Sequence, residues 1–328
     1  MNILFLVAKL DNASTRQRVL QYLPRLESAG MACEVLTAPT TILAKRELWR
    51  RLPLFHTLFI QRRLFQPWEV WIMRRGIRRL VFDFDDAVMF KDHDTRQTGN
   101  FTRRVKFRAM ARHADLMIAG NGYLQAQALP YCNRVAILPT AVDMERYQPK
   151  SDHGAERVTI GWIGSRSTLK YLTDIQDVLE ELAKNYPHLQ LKIVADRFLT
   201  GQQLPIIAKH WDYVDEIADL HSFDIGLMPL RDDPWSRGKC GFKLIQCMAV
   251  GVPVVCSPVG MNREIVEDGI NGLWAGDPDS WFKALAALIE DPQRRRELGT
   301  AGRQTVQQYY SLQGQAPRLI QWLMDPSA

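Results

Sequence analysis

The chain has 328 residues, enough for two domains of ordinary size, and its apolar fraction of 46% supports packed cores. Charged residues make up 24% of the chain, its net charge is +6, and no apolar run reaches the length of a membrane-spanning helix. These properties argue against a disordered protein and against an integral membrane protein. The apolar start of the chain has no basic region before it, so we interpret it as a strand and not as a secretion signal.

The cysteines indicate a reducing compartment. The chain has five, at positions 33, 132, 240, 247 and 256, without the paired spacing of a zinc site. An odd and scattered set is typical of a cytosolic protein without a disulfide framework. We therefore expect a cytoplasmic protein without a zinc site.

A basic segment rich in aromatic residues spans 41–80. It carries ten Lys or Arg residues against two glutamates, with six Trp or Phe residues interleaved, and a second basic run follows at 103–112. Such a mixture suits an anionic membrane surface, which would place the protein at the inner face of a membrane. Alternatively, the aromatic residues are core and the arginines are exposed helix faces. Nucleic acid is a weaker alternative, since no recognised binding motif accompanies the charge.

The first elements predict a parallel α/β sheet, with a strand over 2–8, a helix, and a second strand over 33–36. Loops at the carboxyl ends of such strands line the ligand crevice. The loop and helix start between the two strands carry Asp11, Ser14 and Arg16, which we expect at or near that crevice. Arg18 lies in the same turn and is expected there too, although Arg16 and Arg18 could equally belong to an exposed first helical turn.

A cluster of aspartates begins at Asp83, the last residue of the predicted strand over 80–83, and continues with Asp85 and Asp86. Clustered carboxylates invite a divalent metal ion. We favour other roles, since the residues suited to phosphate lie far downstream. The aspartates could hold ligand hydroxyls, cap the next helix or pair with nearby arginines.

A second strand-to-helix turn begins after the predicted strand over 158–163. It contains glycine, small hydroxyl residues and two cations: Gly164, Ser165, Arg166, Ser167, Thr168 and Lys170. Alone, this pattern is weak evidence of a phosphate site. Asp232 lies in a predicted loop just before the segment 237–275, which also carries cations.

The segment 237–275 predicts a loop, a helix from about Gly241 to Val250, and a buried strand over 254–256. Gly251 suits a left-handed helix end. Lys243 and Gln246 fall close to one line on that helix. Lys239 extends the line if the helix begins early. A helix N-terminus with free N–H groups receives phosphate well, although a solvated basic cap is the alternative.

The same segment resembles the C-terminal signature of the family 4 glycosyltransferases, which have the GT-B fold. The matching blocks are Met248-Ala249-x-Gly251-x-Pro253-Val254-Val255, Pro258-Val259-Gly260, Glu264-Ile265-Val266 and Gly269-x-Asn271-Gly272. The order and spacing of these blocks are specific to that family.

The head of the signature departs from the family pattern of two glutamates separated by seven residues. Gln246 stands at the second glutamate and Gly238 at the first. In the upstream turn, Ser165 occupies the position of a phosphate-binding arginine, and Arg166 lies one place further on. Lys170 matches the family's phosphate-binding lysine. The departures concern catalytic detail more than the fold.

The resemblance implies two Rossmann-like α/β domains facing across a cleft. Residues 1–150 would form the acceptor-side domain, 151–310 the nucleotide-sugar-binding domain, and 311–328 a helix that crosses back to the first domain. A polar linker over 149–157 would join the domains.

The resemblance also implies transfer of a hexosyl unit from a nucleotide-sugar to a hydroxyl acceptor, a glycan or a lipid-linked sugar, with retention of configuration. Such an enzyme would serve cell-surface polysaccharide or glycolipid synthesis and need no cofactor or metal. Two alternatives remain: a nucleotide-sugar-binding protein without catalysis, and a membrane-surface scaffold that uses 41–80.

The implied site residues fall into three groups. The catalytic cations are Lys170, Lys239 and Lys243; the donor-binding residues are Gly164, Ser165, Arg166, Asp232, Gly241, Phe242, Leu244 and Gln246; the acceptor-side residues are Asp11, Ser14, Arg16, Asp85 and Asp86. Gln246 would bind hydroxyls of the donor ribose or sugar. Asp232 would stand in for the missing glutamate.

Overall fold

The computed structural model describes residues 1–90, 101–151 and 157–325. The strands are β1 Asn2–Val7, β2 Ala32–Thr37, β3 Thr57–Gln61, β4 Arg79–Phe84, β5 Leu116–Ala119, β6 Val135–Ile137, β7 Val158–Ile163, β8 Leu189–Ala195, β9 Ile206–His210, β10 Ile225–Met228, β11 Val254–Cys256 and β12 Leu273–Trp274. The helices are α1 Ala13–Arg18, α2 Leu23–Ser28, α3 Ile42–Arg51, α4 Pro67–Gly76, α5 Phe101–His113, α6 Gly122–Ala128, α7 Arg166–Thr173, α8 Gln176–Asn185, α9 Glu216–His221, α10 Pro234–Arg237, α11 Phe242–Ala249, α12 Asn262–Ile265, α13 Pro278–Glu290, α14 Pro292–Tyr309 and α15 Leu312–Met324, with short 3-10 turns at Leu20–Tyr22 and Leu52–Leu54.

The chain forms two compact units. The first unit contains Met1–Ala141, Asp233–Cys240 and Leu312–Ala328, and the second contains Val142–Asp232 and Gly241–Ser311. This division differs from the sequence-based one in two places: the first unit ends at Ala141, and a short segment from the middle of the second half joins it. The predicted linker over 149–157 lies largely outside the described residues.

In the first unit, six parallel strands follow the order β2-β1-β3-β4-β5-β6. The strand order reverses between β1 and β3, and open α/β sheets bind ligands at such a reversal point. Helix α15 packs on one face of this sheet, where Leu319 and Leu323 join a buried cluster with Ile3 and Phe5. The predicted return of the terminal helix to the first domain is therefore confirmed.

In the second unit, the order β9-β8-β7-β10-β11-β12 is again fully parallel. This is the Rossmann order, with its reversal point between β7 and β10. Gly251, at φ +78°, has the left-handed conformation expected at the end of α11, and β11 is fully buried as predicted. The α/β fold with two Rossmann-like sheets is confirmed.

A buried ion pair joins α1 to β4 in the first unit. Arg18 donates through Nε to Asp83 at 3.1 Å, through a second nitrogen to the same carboxylate, and through a third to the Leu138 carbonyl. Both side chains are fully buried. Burial lowers the pKa of Arg18, but the neighbouring charge of Asp83 outweighs it and raises the pKa above its usual value. The alternative prediction of an exposed helical turn is therefore wrong for Arg18.

Replacement of this arginine should destabilise the protein severely. Arg18→Ala leaves the Asp83 carboxylate buried without its partner, so we expect a loss of about 3–5 kcal/mol in the free energy of unfolding. Urea denaturation measures it. The control is Arg16→Ala, because Arg16 is only half-buried and donates to the Asp11 carbonyl; its expected loss is about 0.5 kcal/mol or less. Equal losses in the two variants would contradict the assignment.

Candidate functional site

The turn from β7 to α7 is built around a glycine. Gly164 lies so close to Trp162 that a Cβ there would be 2.0 Å from the Cη2 atom of the indole ring. Ser165 then caps α7, and its side chain and that of Thr168 form a reciprocal capping box. The turn therefore places the Ser165 and Thr168 hydroxyl groups and the N-terminus of α7 directly after the end of a central strand.

A left-handed glycine sets the residue at which helix α11 begins. Gly241 has φ +63° and precedes the helix, and a Cβ there would lie 2.2 Å from Ile265. The helix therefore starts at Phe242. The early start that would have put Lys239 on the helix line with Lys243 is wrong, because the left-handed glycine separates them.

The structure brings Lys243 to the β7–α7 turn. Its Nζ donates to Thr168 Oγ1 at 3.1 Å and lies 4.7 Å from the centroid of the Trp162 ring. Two sequence segments separated by about 75 residues thus meet at one place. The result is a half-buried ammonium group beside hydroxyls at a helix start, an arrangement suited to a phosphate group.

The other predicted cations are placed differently. Lys170 follows Thr168 by two residues on α7, so its side chain leaves the helix about 200° away from that of Thr168. Its Nζ lies 5.1 Å from the centroid of the Tyr171 ring. Arg166 is exposed, and its backbone N–H donates to Asp196. Phosphate contacts of Lys170 and Arg166 stay predictions.

Lys239 belongs to the first unit, in the segment Asp233–Cys240. Asn121 holds this segment, since its amide donates to the carbonyls of Arg237 at 3.3 Å and Lys239 at 3.0 Å. The role of Lys239 at a donor phosphate stays a prediction.

The same segment contains Gly238, which the resemblance matches to the family's first glutamate. Gly238 lies against Ala87, and a Cβ at position 238 would be 2.6 Å from the Ala87 Cβ and 3.0 Å from its backbone nitrogen. No side chain fits there unless the backbone moves. Glycine at position 238 therefore fits the packing of this loop within the first unit.

Gln246, at the position of the second glutamate, is buried in a polar network. Its amide donates to the Tyr147 hydroxyl at 3.0 Å, and that hydroxyl donates to Glu216 at 2.7 Å. The Trp211 indole N–H donates to the other oxygen of Glu216 at 3.2 Å. Burial, followed by the charge of Glu216, raises the pKa of Tyr147 well above its ordinary value. A donor contact of Gln246 stays a prediction, and its amide nitrogen already has this partner.

The remaining donor-side residues are spread over the second unit. Leu244 is buried in the core, so only its backbone could serve a ligand, and Phe242 is half-buried in the first turn of α11. Asp232 is exposed and lines a cavity of about 390 Å³ beside the ion pair of Arg231 with Asp174. Its contact with donor hydroxyls stays a prediction.

Some of the predicted acceptor-side residues lie in contact: Ser14 with Asp85, and Asp85 and Asp86 with one arginine. The Ser14 hydroxyl donates to Asp85 and accepts from the Gln61 amide at 2.7 Å, while Arg62 pairs with Asp86 and, at 3.9 Å, with Asp85. Of the roles considered for the aspartates, pairing with arginine is the one observed. Across the described parts of the chain, no group of three or more potential ligands is arranged to hold a metal ion. Asp11 is exposed in its loop.

Sequence reasoning missed several residues that shape the site. Trp162 carries the indole ring under Lys243, and Tyr147 and Glu216 hold Gln246. Arg62 was counted only as part of a basic segment. Its position directly after the apolar run that forms β3 was the available signal, because carboxyl ends of parallel strands bear ligand loops.

The comparisons with known proteins agree with this architecture. Residues 157–291 match the family model described as "Glycosyl transferases group 1". A D-inositol 3-phosphate glycosyltransferase of Segniliparus rotundus is 24% identical over 59% of this chain and 48% of its own. A GDP-mannose-dependent monoacylated alpha-(1-6)-phosphatidylinositol monomannoside mannosyltransferase of Corynebacterium glutamicum is 28% identical over 56% of this chain and 54% of its own.

The fold matches that of solved structures. The crystal structure of Anabaena HepE in complex with UDP and glucose superposes with a TM-score of 0.75, at 16% identity, over 99% of both chains. The chain spans about half the length of the curated relatives it matches. The recognition from sequence is supported: residues 157–291 match the group 1 glycosyl transferases, and the fold is GT-B.

The buried network gives a direct prediction. Gln246→Glu would place a second carboxylate on a Tyr147 hydroxyl that already donates to Glu216, so we expect a loss of about 1–3 kcal/mol in unfolding free energy at neutral pH. The control is the double variant Gln246→Glu/Glu216→Gln, which returns one carboxylate and one amide to the same hydroxyl. We expect it to recover most of the loss in urea denaturation. Additive losses would show that the network does not couple the two positions.

Proposed function

We propose that the protein transfers a sugar from a nucleotide-sugar donor to a hydroxyl acceptor with retention of configuration. The observation that carries the proposal is the meeting of Lys243 with the β7–α7 turn, at the reversal point of a Rossmann sheet. The named activities of the two relatives and the UDP and glucose bound by HepE support it.

In this proposal Lys243 acts on the leaving group. Departure of a nucleoside diphosphate builds negative charge on its outer phosphate, and a preorganised ammonium group stabilises that charge more in the transition state than in the ground state. The Trp162 ring and Thr168 hold Lys243 in place before the donor arrives. We propose that the reaction needs neither a metal ion nor a further cofactor.

A second candidate is a protein that binds nucleotide-sugars without transferring them. The close contact of Gly238 with Ala87 favours it, because no side chain can replace the missing glutamate at that position. Formation of a glycosylated product, or slow hydrolysis of the donor, would decide for the transferase.

Lys243→Ala should weaken binding of a nucleoside diphosphate by roughly 1.5–3 kcal/mol, the value of a charge-assisted hydrogen bond. Calorimetry with UDP, GDP and ADP measures it and identifies the base. The matched control is Lys184→Ala, because Lys184 is an exposed lysine on α8 of the same unit and should not affect affinity. An unchanged affinity in Lys243→Ala would remove this lysine from the site.

We also propose that the acceptor side of the protein contacts an anionic membrane surface from the cytoplasmic side. In the described ranges, no helix combines the length and apolar character needed to cross a bilayer. Phe59 and Phe65 of the 41–80 segment are core, but Trp68 and Trp71 on α4 are about half exposed, and Leu43 and Leu54 are exposed still further. The lipid in the name of the C. glutamicum relative supports a lipid-linked acceptor.

The membrane proposal is tested by co-sedimentation with vesicles of phosphatidylcholine with and without phosphatidylglycerol. We expect binding only to the anionic vesicles, and a large reduction in Trp68→Ala/Trp71→Ala, because these rings would enter the interface. Tyr309→Ala is the control, since Tyr309 is 54% exposed on α14 of the second unit. Wild-type protein that stays in the supernatant would reject the proposal.

A further inference from the structure

A basic pocket lies in the first unit, where β1 and β3 end. It has a volume of about 490 Å³, and its polar and aromatic lining consists of Asn12, Arg62, Arg63, Arg103, Lys106 and Trp235. The reversal of strand order between β1 and β3 makes this the place where an open parallel sheet binds its ligand. All of its lining residues belong to the first unit, whereas the β7–α7 turn belongs to the second.

The charge of the pocket is positive. Four of its lining residues are cations, and no carboxylate lines it among the described residues. Arg62 is offset by its pairing with Asp86 and Asp85. Arg63, which is exposed, and Lys106, which is half-buried on α5, add charge from two different elements. Cations that converge from separate elements suit a compact anion with several oxygens.

The backbone at the rim of the pocket is strained. Arg62 has φ +62° and is the single residue other than glycine with positive φ among those described. Its N–H donates to the Asp83 carbonyl at 2.7 Å, which fixes the turn. Left-handed conformations of residues with large side chains are unfavourable and concentrate at ligand sites. Here the strained turn brings both Arg62 and Arg63 to the pocket.

We infer that the basic pocket binds a phosphate group carried by the acceptor. The inference rests on the proposed function and names its acceptor class: a phosphorylated sugar or a lipid phosphate. Arg63, Arg103 and Lys106 hold the phosphate. Ser14 and Asp85, which are hydrogen-bonded to each other, lie near the same strand ends and could receive an acceptor hydroxyl.

The test measures binding by calorimetry in saturating UDP, so that the donor site is occupied. The soluble probes are glucose 1-phosphate and glucose, and the lipid probes are micelles with phosphatidic acid or with phosphatidylcholine. We expect at least one of two results: glucose 1-phosphate binds and glucose does not, or phosphatidic acid micelles bind and phosphatidylcholine micelles do not. Which one binds identifies the source of the phosphate. Arg63→Ala and Lys106→Ala should each weaken that binding about 10- to 100-fold.

The matched control is Arg104→Ala, because Arg104 is an exposed arginine on α5 that does not line the pocket, and its variant should bind as the wild type does. Failure of both phosphate probes to bind, or binding that Arg63→Ala and Lys106→Ala leave unchanged, overturns the inference. UDP binding by the same wild-type sample distinguishes failure of this inference from failure of the proposed function. If UDP binds and neither phosphate does, the inference alone fails; if UDP does not bind, the proposed function fails.

Discussion

The candidate donor site depends on the packing of one tryptophan. Trp162 fills the space beneath Gly164, and Lys243 lies over the face of its ring while it donates to Thr168. A cation over an indole face is attracted by the electron density of the ring, so the ammonium group has a preferred position in the absence of a ligand. Gly164, Trp162 and Lys243 therefore depend on one another, and replacement of any of them would displace the positive charge of Lys243.

The first unit shows a different use of charge. The buried pair of Arg18 with Asp83 ties a helix to the sheet. Arg62, which lines the basic pocket, pairs instead with Asp85 and Asp86, which follow the end of β4. Adjacent aspartates thus serve separate purposes, because β4 ends between them and only the first is enclosed by the sheet. Their sequence pattern alone left a metal site possible, although we favoured other roles, among them pairing with arginines.

The sequence supported the fold well because its signals are local. Gly251 predicted a left-handed helix end, and the apolar run over 254–256 predicted a buried strand; both follow from residue type and spacing. The misses involve contacts between distant residues. Burial of Arg18 depends on Asp83, 65 positions away, and the place of Lys239 depends on Asn121, 118 positions away. The close contact of Gly238 with Ala87 is likewise a contact between distant residues, so the sequence did not predict it.

The central claim is that Lys243 and the β7–α7 turn receive the diphosphate of the donor. A crystal structure of the protein soaked with UDP tests it most directly. We expect an oxygen of the outer phosphate about 3 Å from Lys243 Nζ, with further oxygens near the Ser165 and Thr168 hydroxyls at the start of α7. Nucleotide bound in the second unit with its phosphates away from this turn, and Lys243 still on Thr168, would contradict it.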